Sequence, residues 1–279
     1  MTFPIAILQG RLSQSPDERF QFFPYYWASE FLAAQVMGFE GIEWLCDAPE
    51  MEDNSNPVLL KQGSQLIRTA ELRSAVRVAS VCADWFMKYD LRSLSGARTL
   101  PWLTSAIHRA ELTTNRVVLI PLLEAHAPKS LVERERVREN LQMILPMLAN
   151  YQVSIAFETE MNASALQEFV DSFQNEYVGV YYDIGNCTSY GFDCASDIKR
   201  LAHRIKGVHV KDRKRYSTKS VSLGTGDANI RGCLESLGHI GWSGSLVLQA
   251  FRGAATYLKD AQQQLTYMKK IQKEVFGNG

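Results

Sequence analysis

The chain has 279 residues, 46% of them hydrophobic, and its 30 basic side chains balance its 30 acidic ones. That size supplies ample core for a single domain spanning 1–279, and the charge balance argues against a protein that binds nucleic acid. No apolar run approaches the roughly 18 residues of a membrane helix, the opening stretch lacks a basic signal-peptide region, and five scattered cysteines (Cys46, Cys82, Cys187, Cys194, Cys233) argue against a disulfide scaffold or zinc ribbon, so a soluble, cytoplasmic protein is expected.

Short β-branched runs alternate with longer amphipathic stretches along nearly the whole chain. The pattern predicts a strand at 5–8 and a helix at 26–37, then a strand at 41–45 and a helix at 57–73. A strand at 76–82 precedes a helix at 100–112, and a strand at 117–121 precedes a helix at 130–150. The second half continues with strand 153–158 and helix 163–173, then strand 178–183 and helix 193–202. Strand 207–211 with helix 230–237 and strand 245–249 with helix 255–275 complete the series. Several strands are apolar at consecutive positions, as parallel strands buried on both faces are. Eight units of about 35 residues match a (β/α)8 barrel. A doubly wound open sheet is the alternative, weakened by the lack of a glycine-rich dinucleotide fingerprint after the first strand. The stretches 47–56 and 84–99 are the longest irregular ones, and in a barrel both lie on the catalytic face.

A barrel carries its chemistry at the C-terminal ends of its strands. There the last four strands place Glu158, Asp183, His209 and Gln249. Three oxygen donors and an imidazole suit a divalent cation: the oxygens favour Mn²⁺ or Mg²⁺, and the imidazole leaves Co²⁺, Fe²⁺ or Zn²⁺ open. Each residue alone has a plainer role. Asp183 before Gly185-Asn186 fits an Asx turn, and His209 fits a hydrogen-bonded core position. Their recurrence at successive strand ends favours a site.

The runs Phe157-Glu158-Thr159, Tyr182-Asp183-Ile184-Gly185-Asn186, Val208-His209-Val210-Lys211-Asp212-Arg213 and Leu223-Gly224-Thr225-Gly226-Asp227 carry a resemblance. Gly38-Phe39-Glu40-Gly41-Ile42-Glu43 and Leu8-Gln9-Gly10-Arg11 support it. In this order the chain resembles the sugar isomerase/epimerase superfamily, the xylose-isomerase-like or AP-endonuclease-2 TIM barrels. It looks most like their sugar-phosphate 3-epimerases and isomerases. The resemblance implies one divalent metal (Mn, Mg, Co or Zn) held by Glu158, Asp183, His209 and the residue at 249. It also implies proton abstraction next to a carbonyl, through a metal-stabilised enediolate, on a small sugar or sugar phosphate. The family's fourth ligand is a second glutamate that also moves a proton. Here Gln249 offers a carbonyl oxygen but accepts no proton. With Glu158 alone, one-base isomerisation gains over two-base epimerisation. Glu160, Lys211 and Glu43 are candidates for a second group. A dehydratase or lyase acting on a keto-polyol begins with the same step. A catalytically altered sugar-binding barrel is the reading that Gln249 favours. The abasic-site nuclease branch needs a histidine-rich site, which five histidines and no basic excess do not supply.

Lys211 shares the face of His209 and is expected to act on a substrate oxygen or phosphate, with an ion pair to Asp212 as the alternative. Arg11, Arg213 and Arg252 follow strand ends and suit phosphate or carboxylate. Asn186 suits a sugar hydroxyl or its own turn. The aromatic segment from Phe20 to Trp27, joined by Trp85 and Phe86, is either a wall against the sugar or packing against the rim or a second copy of the chain.

Overall fold

A computed structural model of the protein describes residues 2–15, 19, 21–47, 56–60 and 62–277. The first half of the chain runs β1 (Ile5–Leu8), α1 (Trp27–Met37), β2 (Gly41–Leu45), α2 (Gly63–Ser74), β3 (Arg77–Cys82), α3 (Leu100–Ala110), β4 (Val117–Leu122), α4 (Leu131–Leu141) and α5 (Leu145–Tyr151). The second half runs β5 (Ser154–Thr159), α6 (Ala163–Asp171), β6 (Val178–Asp183), α7 (Ile184–Ser189), α8 (Cys194–Leu201), β7 (Ile205–Val210), α9 (Ile230–His239), β8 (Leu246–Leu248) and α10 (Tyr257–Phe276). The eight strands are parallel and close into a barrel, β1 pairing with β2 on one side and with β8 on the other. Closure settles the choice against an open sheet. Among the described residues no helix is long and apolar enough to cross a membrane.

Residues alternate along each strand between the two faces of the sheet. One face turns outward under the helices and supplies the large core. The other turns inward and fills the barrel with a second apolar cluster that includes Ala156, Tyr181 and Val247. The barrel is therefore plugged rather than hollow. Glycine makes the plug possible at one point: a Cβ on Gly207 would lie 2.2 Å from the Tyr181 ring.

Two long predicted helices are broken. The stretch 130–150 forms α4 and α5, because Pro146 has no N–H to continue α4 and instead occupies the first turn of α5. Likewise 57–73 divides into a 3₁₀ turn at Pro57–Leu59 and α2. At that break, a Cβ on Gly63 would lie 1.5 Å from the Pro57 carbonyl oxygen. Helix α7 has no counterpart in the sequence reading. All six of its residues are buried, so it shows no amphipathic period. The irregular stretch 84–99 holds a 3₁₀ turn at Asp84–Met87 and a short helix at Leu94–Ala97. Residues 48–55 of the other irregular stretch lie outside the described residues.

Candidate active site at the barrel mouth

The polar side chains at the mouth follow from the strand repeat of two. Ala156, Tyr181 and Val247 point into the barrel, so Glu158, Asp183 and Gln249, two residues further on, point into its mouth. Register then sets neighbours: Asp183 pairs directly with His209, and His209 with Val247. Glu158, Asp183 and His209 each offer one ligand atom within 4.8 Å of the others. His209 Nδ1 lies 3.6 Å from Asp183 Oδ2 and 3.7 Å from Glu158 Oε2.

Behind His209 lies a closed polar network. Its Nε2 donates to Glu43 Oε1 at 2.6 Å, and Glu43 Oε2 accepts from Ser80 Oγ at 2.7 Å and from the Tyr181 hydroxyl. Glu43 is completely buried, and both its oxygens are engaged beneath the imidazole. It positions His209 and fixes Nε2 as the donor, leaving Nδ1 to face the two carboxylates. Burial alone would raise the Glu43 carboxyl, but the imidazole beside it holds it below the usual range. His209 shows the converse. Burial opposes its charge, yet Glu43, then Asp183 and Glu158, push it well above its ordinary value. Burial, and next the charge of Asp183, raise Glu158. For Asp183 burial is outweighed by Lys211 and His209, which hold it low.

Asp183 forms the expected turn with one oxygen and an ion pair with the other. Its Oδ1 caps α7 by accepting from the Asn186 backbone N–H at 2.7 Å, and its Oδ2 pairs with Lys211 Nζ at 2.8 Å. Asn186 Nδ2 donates to Glu158 Oε1 at 2.6 Å, while its Oδ1 is buried without a hydrogen bond. Lys211 passes close to Gly185, where a Cβ would lie 2.3 Å from Lys211 Cγ, and its Nζ donates to Gln249 Oε1. The alternative Lys211–Asp212 ion pair does not form. Asp212 instead accepts backbone N–H bonds from Gly224, Gly226 and Ala228 at 2.8–3.1 Å, anchoring the Leu223–Asp227 loop.

The other half of the mouth was largely missed by sequence reasoning. Gln249 Nε2 donates to Gln21 Oε1 at 2.7 Å, and Gln21 Nε2 donates to Asp84 Oδ1 at 2.7 Å. Asp84 stands two residues beyond the inward-facing Cys82, so the same strand-end argument applied to β3 would have found it. Gln21 comes from a loop and carries no such signal. Burial, with Asp47 and Glu158 adding to it, raises the Asp84 carboxyl to about 7 against the pull of Gln21 and Arg11. Glu160 turns away, accepting from the Glu124 backbone N–H at 2.6 Å.

The three arginines differ. Arg11 is buried, and desolvation together with the neighbouring Arg252 lowers it to about 9. Arg252 donates to the carbonyls of Gly10 and Ser13 at 2.6 and 2.8 Å, with its guanidinium over Phe22 at 5.2 Å and Tyr257 at 5.4 Å. It fastens the β1–α1 loop. Arg213 follows β7, and its Nε is buried without a hydrogen bond. Within the aromatic segment Phe22 is buried and Phe23 packs on Trp44, whereas Tyr25 and Tyr26 are exposed; Phe20 lies outside the described residues. Trp85 and Phe86 are fully buried core residues, which removes them from any wall facing a sugar.

A metal at this mouth meets a donor set suited to it. His209 Nδ1 is buried with no hydrogen bond, and it faces two carboxylate oxygens too distant to bond it. Two ligand atoms sharing one cation at about 2.1 Å stand roughly 3.0–3.5 Å apart, close to the spacings here. Oxygen, oxygen and imidazole donors also match Zn²⁺, Mn²⁺ or Co²⁺ chemically.

Comparison with known proteins gives four findings. A family model described as xylose isomerase-like TIM barrel matches residues 31–271. The chain is 26% identical over 239 residues to L-ribulose-5-phosphate 3-epimerase UlaE of Escherichia coli O1:K1, covering 82% of this chain and 84% of that one. Its structure is similar to a xylose isomerase domain protein from Planctomyces limnophilus, with TM-score 0.75 and 18% identity over 99% of both chains. It is similar also to the IOLI protein solved with a bound zinc atom, with TM-score 0.70 and 16% identity over 99% of this chain and 100% of that one. The two structural likenesses concern the fold.

Proposed function

The chain belongs to the xylose isomerase-like TIM barrel family, and on that premise we propose that it is a divalent-metal-dependent epimerase or isomerase of a small sugar or sugar phosphate. Glu158, Asp183, His209 and the carbonyl oxygen of Gln249 would hold one Mn, Mg, Co or Zn ion. When bound there, such an ion polarises the sugar carbonyl and acidifies the neighbouring C–H bond. Glu158 takes the proton, its carboxylate aimed by the Asn186 amide. Asn186 Oδ1 accepts a bond from a sugar hydroxyl. Lys211 balances Asp183 and donates to a substrate oxygen. Arg213 receives the far end of the substrate, phosphorylated or not, while Arg11 and Arg252 add positive potential on the β1–β8 side. Five buried free thiols support a reducing, cytoplasmic setting.

The observation that carries this reading is the convergence of Glu158, Asp183 and His209 within 4.8 Å on three adjacent strands. The 26% identity to a ribulose-phosphate epimerase supports the substrate class. The test is metal analysis after purification with Mn²⁺, Mg²⁺ or Co²⁺, followed by incubation in D₂O with ketoses and their 5-phosphates. Loss of the C1 or C3 proton signal in NMR, abolished by chelation, is expected. One observation favours a second reading, a sugar-binding barrel without turnover: the Lys211 ammonium engages the only acceptor that Gln249 offers. Sugar binding with no exchange on any sugar would select that reading and overturn the first.

A further inference from the structure

An enzyme that inverts a carbon through its α-proton needs groups on two faces of the substrate, one to take the proton and one to return it. Glu158 can serve one face. Gln249 cannot serve the other, since an amide neither accepts nor gives a proton at neutral pH. The structure nevertheless does not leave position 249 isolated. From it a hydrogen-bonded chain with a single direction crosses the mouth: Lys211 Nζ donates to Gln249 Oε1, Gln249 Nε2 to Gln21 Oε1, and Gln21 Nε2 to Asp84 Oδ1. The ammonium, which can only donate, fixes the first amide, and that amide fixes the second. Asp84 is the first group along this chain, starting from Gln249, that can exchange a proton.

We infer that Asp84 is the second proton-transfer group of this site, returning a proton to the face that Gln249 cannot serve. The inference rests on the epimerase reading and sharpens it toward inversion. Position supports it. Asp84 follows β3, which lies opposite β7 and His209 in the ring of eight strands, so it faces the proposed metal cluster across the mouth. Its surroundings support it too. Among the described residues Asp47 after β2, Glu158 on β5, Arg11 after β1, the Gln21 amide and the Cys46 and Cys82 thiols face it, and burial foremost, with Asp47 and Glu158 adding to it, raises the carboxyl to about 7, where it can both give and take a proton.

The step balances. Glu158 starts ionised and Asp84 protonated. Glu158 forms an O–H bond as the substrate C–H bond breaks and its electron pair stays on the sugar. Asp84 then loses its proton as a new C–H bond forms on the opposite face. Turnover ends with Glu158 protonated and Asp84 ionised, and exchange with solvent restores both; no oxidant or reductant is involved.

The experiment uses the Mn²⁺-loaded enzyme in D₂O with ribulose 5-phosphate and xylulose 5-phosphate of both enantiomeric series, together with tagatose and fructose. NMR follows deuterium entry into the starting epimer separately from appearance of the inverted one. On the sugar that the wild type turns over, Asp84→Asn is expected to keep deuterium entry within about tenfold. Appearance of the inverted epimer should fall about 10²–10⁴-fold. Asp84→Glu should restore part of the inversion. If Asp84→Asn fails to fold by circular dichroism, Asp84→Ser and Asp84→Glu make the same comparison. Equal loss of entry and inversion, or no loss of either, overturns the role of Asp84 and leaves the epimerase reading standing. No exchange by the wild type on any of these sugars overturns both.

Discussion

Strands β5 to β8 present Glu158, Asp183, His209 and Gln249 to the barrel mouth by strand register, each two positions beyond or level with an inward-facing residue. Across the mouth, Arg11 and Gln21 come from the β1–α1 loop, Glu30 from α1 and Asp84 from the turn after β3. The first group is fixed by the sheet. The second is held by hydrogen bonds among side chains and loop backbone, as where Glu30 accepts from the N–H groups of Gly10 and Leu12 at 3.0–3.1 Å. The contrast teaches that one mouth can combine a rigid donor set with a side whose shape depends on proton and hydrogen-bond states.

The largest expected effect tests whether proton removal belongs to the sheet-fixed side. Glu158→Gln should slow solvent exchange by about 10²–10⁴-fold with little change in melting temperature. An exchange rate within tenfold of wild type would place the base across the mouth instead. The loop side should reveal itself through pH. Burial raises Glu30 from 4.5 to about 7, so between those values the folded protein keeps a proton that the unfolded chain has released. Glu30 therefore makes stability fall as pH rises through that window, by on the order of 3 kcal/mol, with little further change above it. Glu30→Gln should flatten this slope in guanidinium unfolding at pH 5 and pH 8, and equal slopes in the two proteins would refute the assignment. A smaller effect tests the support beneath the rigid side. Glu43→Gln should weaken Mn²⁺ binding by about 10–100-fold in calorimetric titration, because the imidazole loses its charged acceptor. Unchanged affinity would mean that the sheet alone orients His209.

The same contrast explains what could be read in advance. Strands 41–45 and 178–183 coincide with β2 and β6 because continuous apolar runs bounded by turn residues mark buried parallel strands. Glu158, Asp183 and His209 were legible because strand ends occupy fixed places in a barrel. Gln21 was not, since a loop residue's partner depends on a chain path that no periodicity encodes. Glu43 was visible but open to misreading. A carboxylate within a strand looks like a possible base, and only the contacts of both its oxygens identify it as the support of His209. Arg252 was expected to meet substrate. Its two bonds to loop carbonyls give it an architectural task that residue type alone could not reveal.

The Tyr181 ring against Gly207 seals the floor beneath His209. Among the described residues the imidazole is therefore reached from the mouth, and whatever is seated deepest there enters first and leaves last. A sugar lying over the mouth would act as a stopper on a cation held by Glu158, Asp183 and His209. Loading should then be ordered, with the ion preceding the sugar, and the residence time of the ion should lengthen as sugar saturates the mouth.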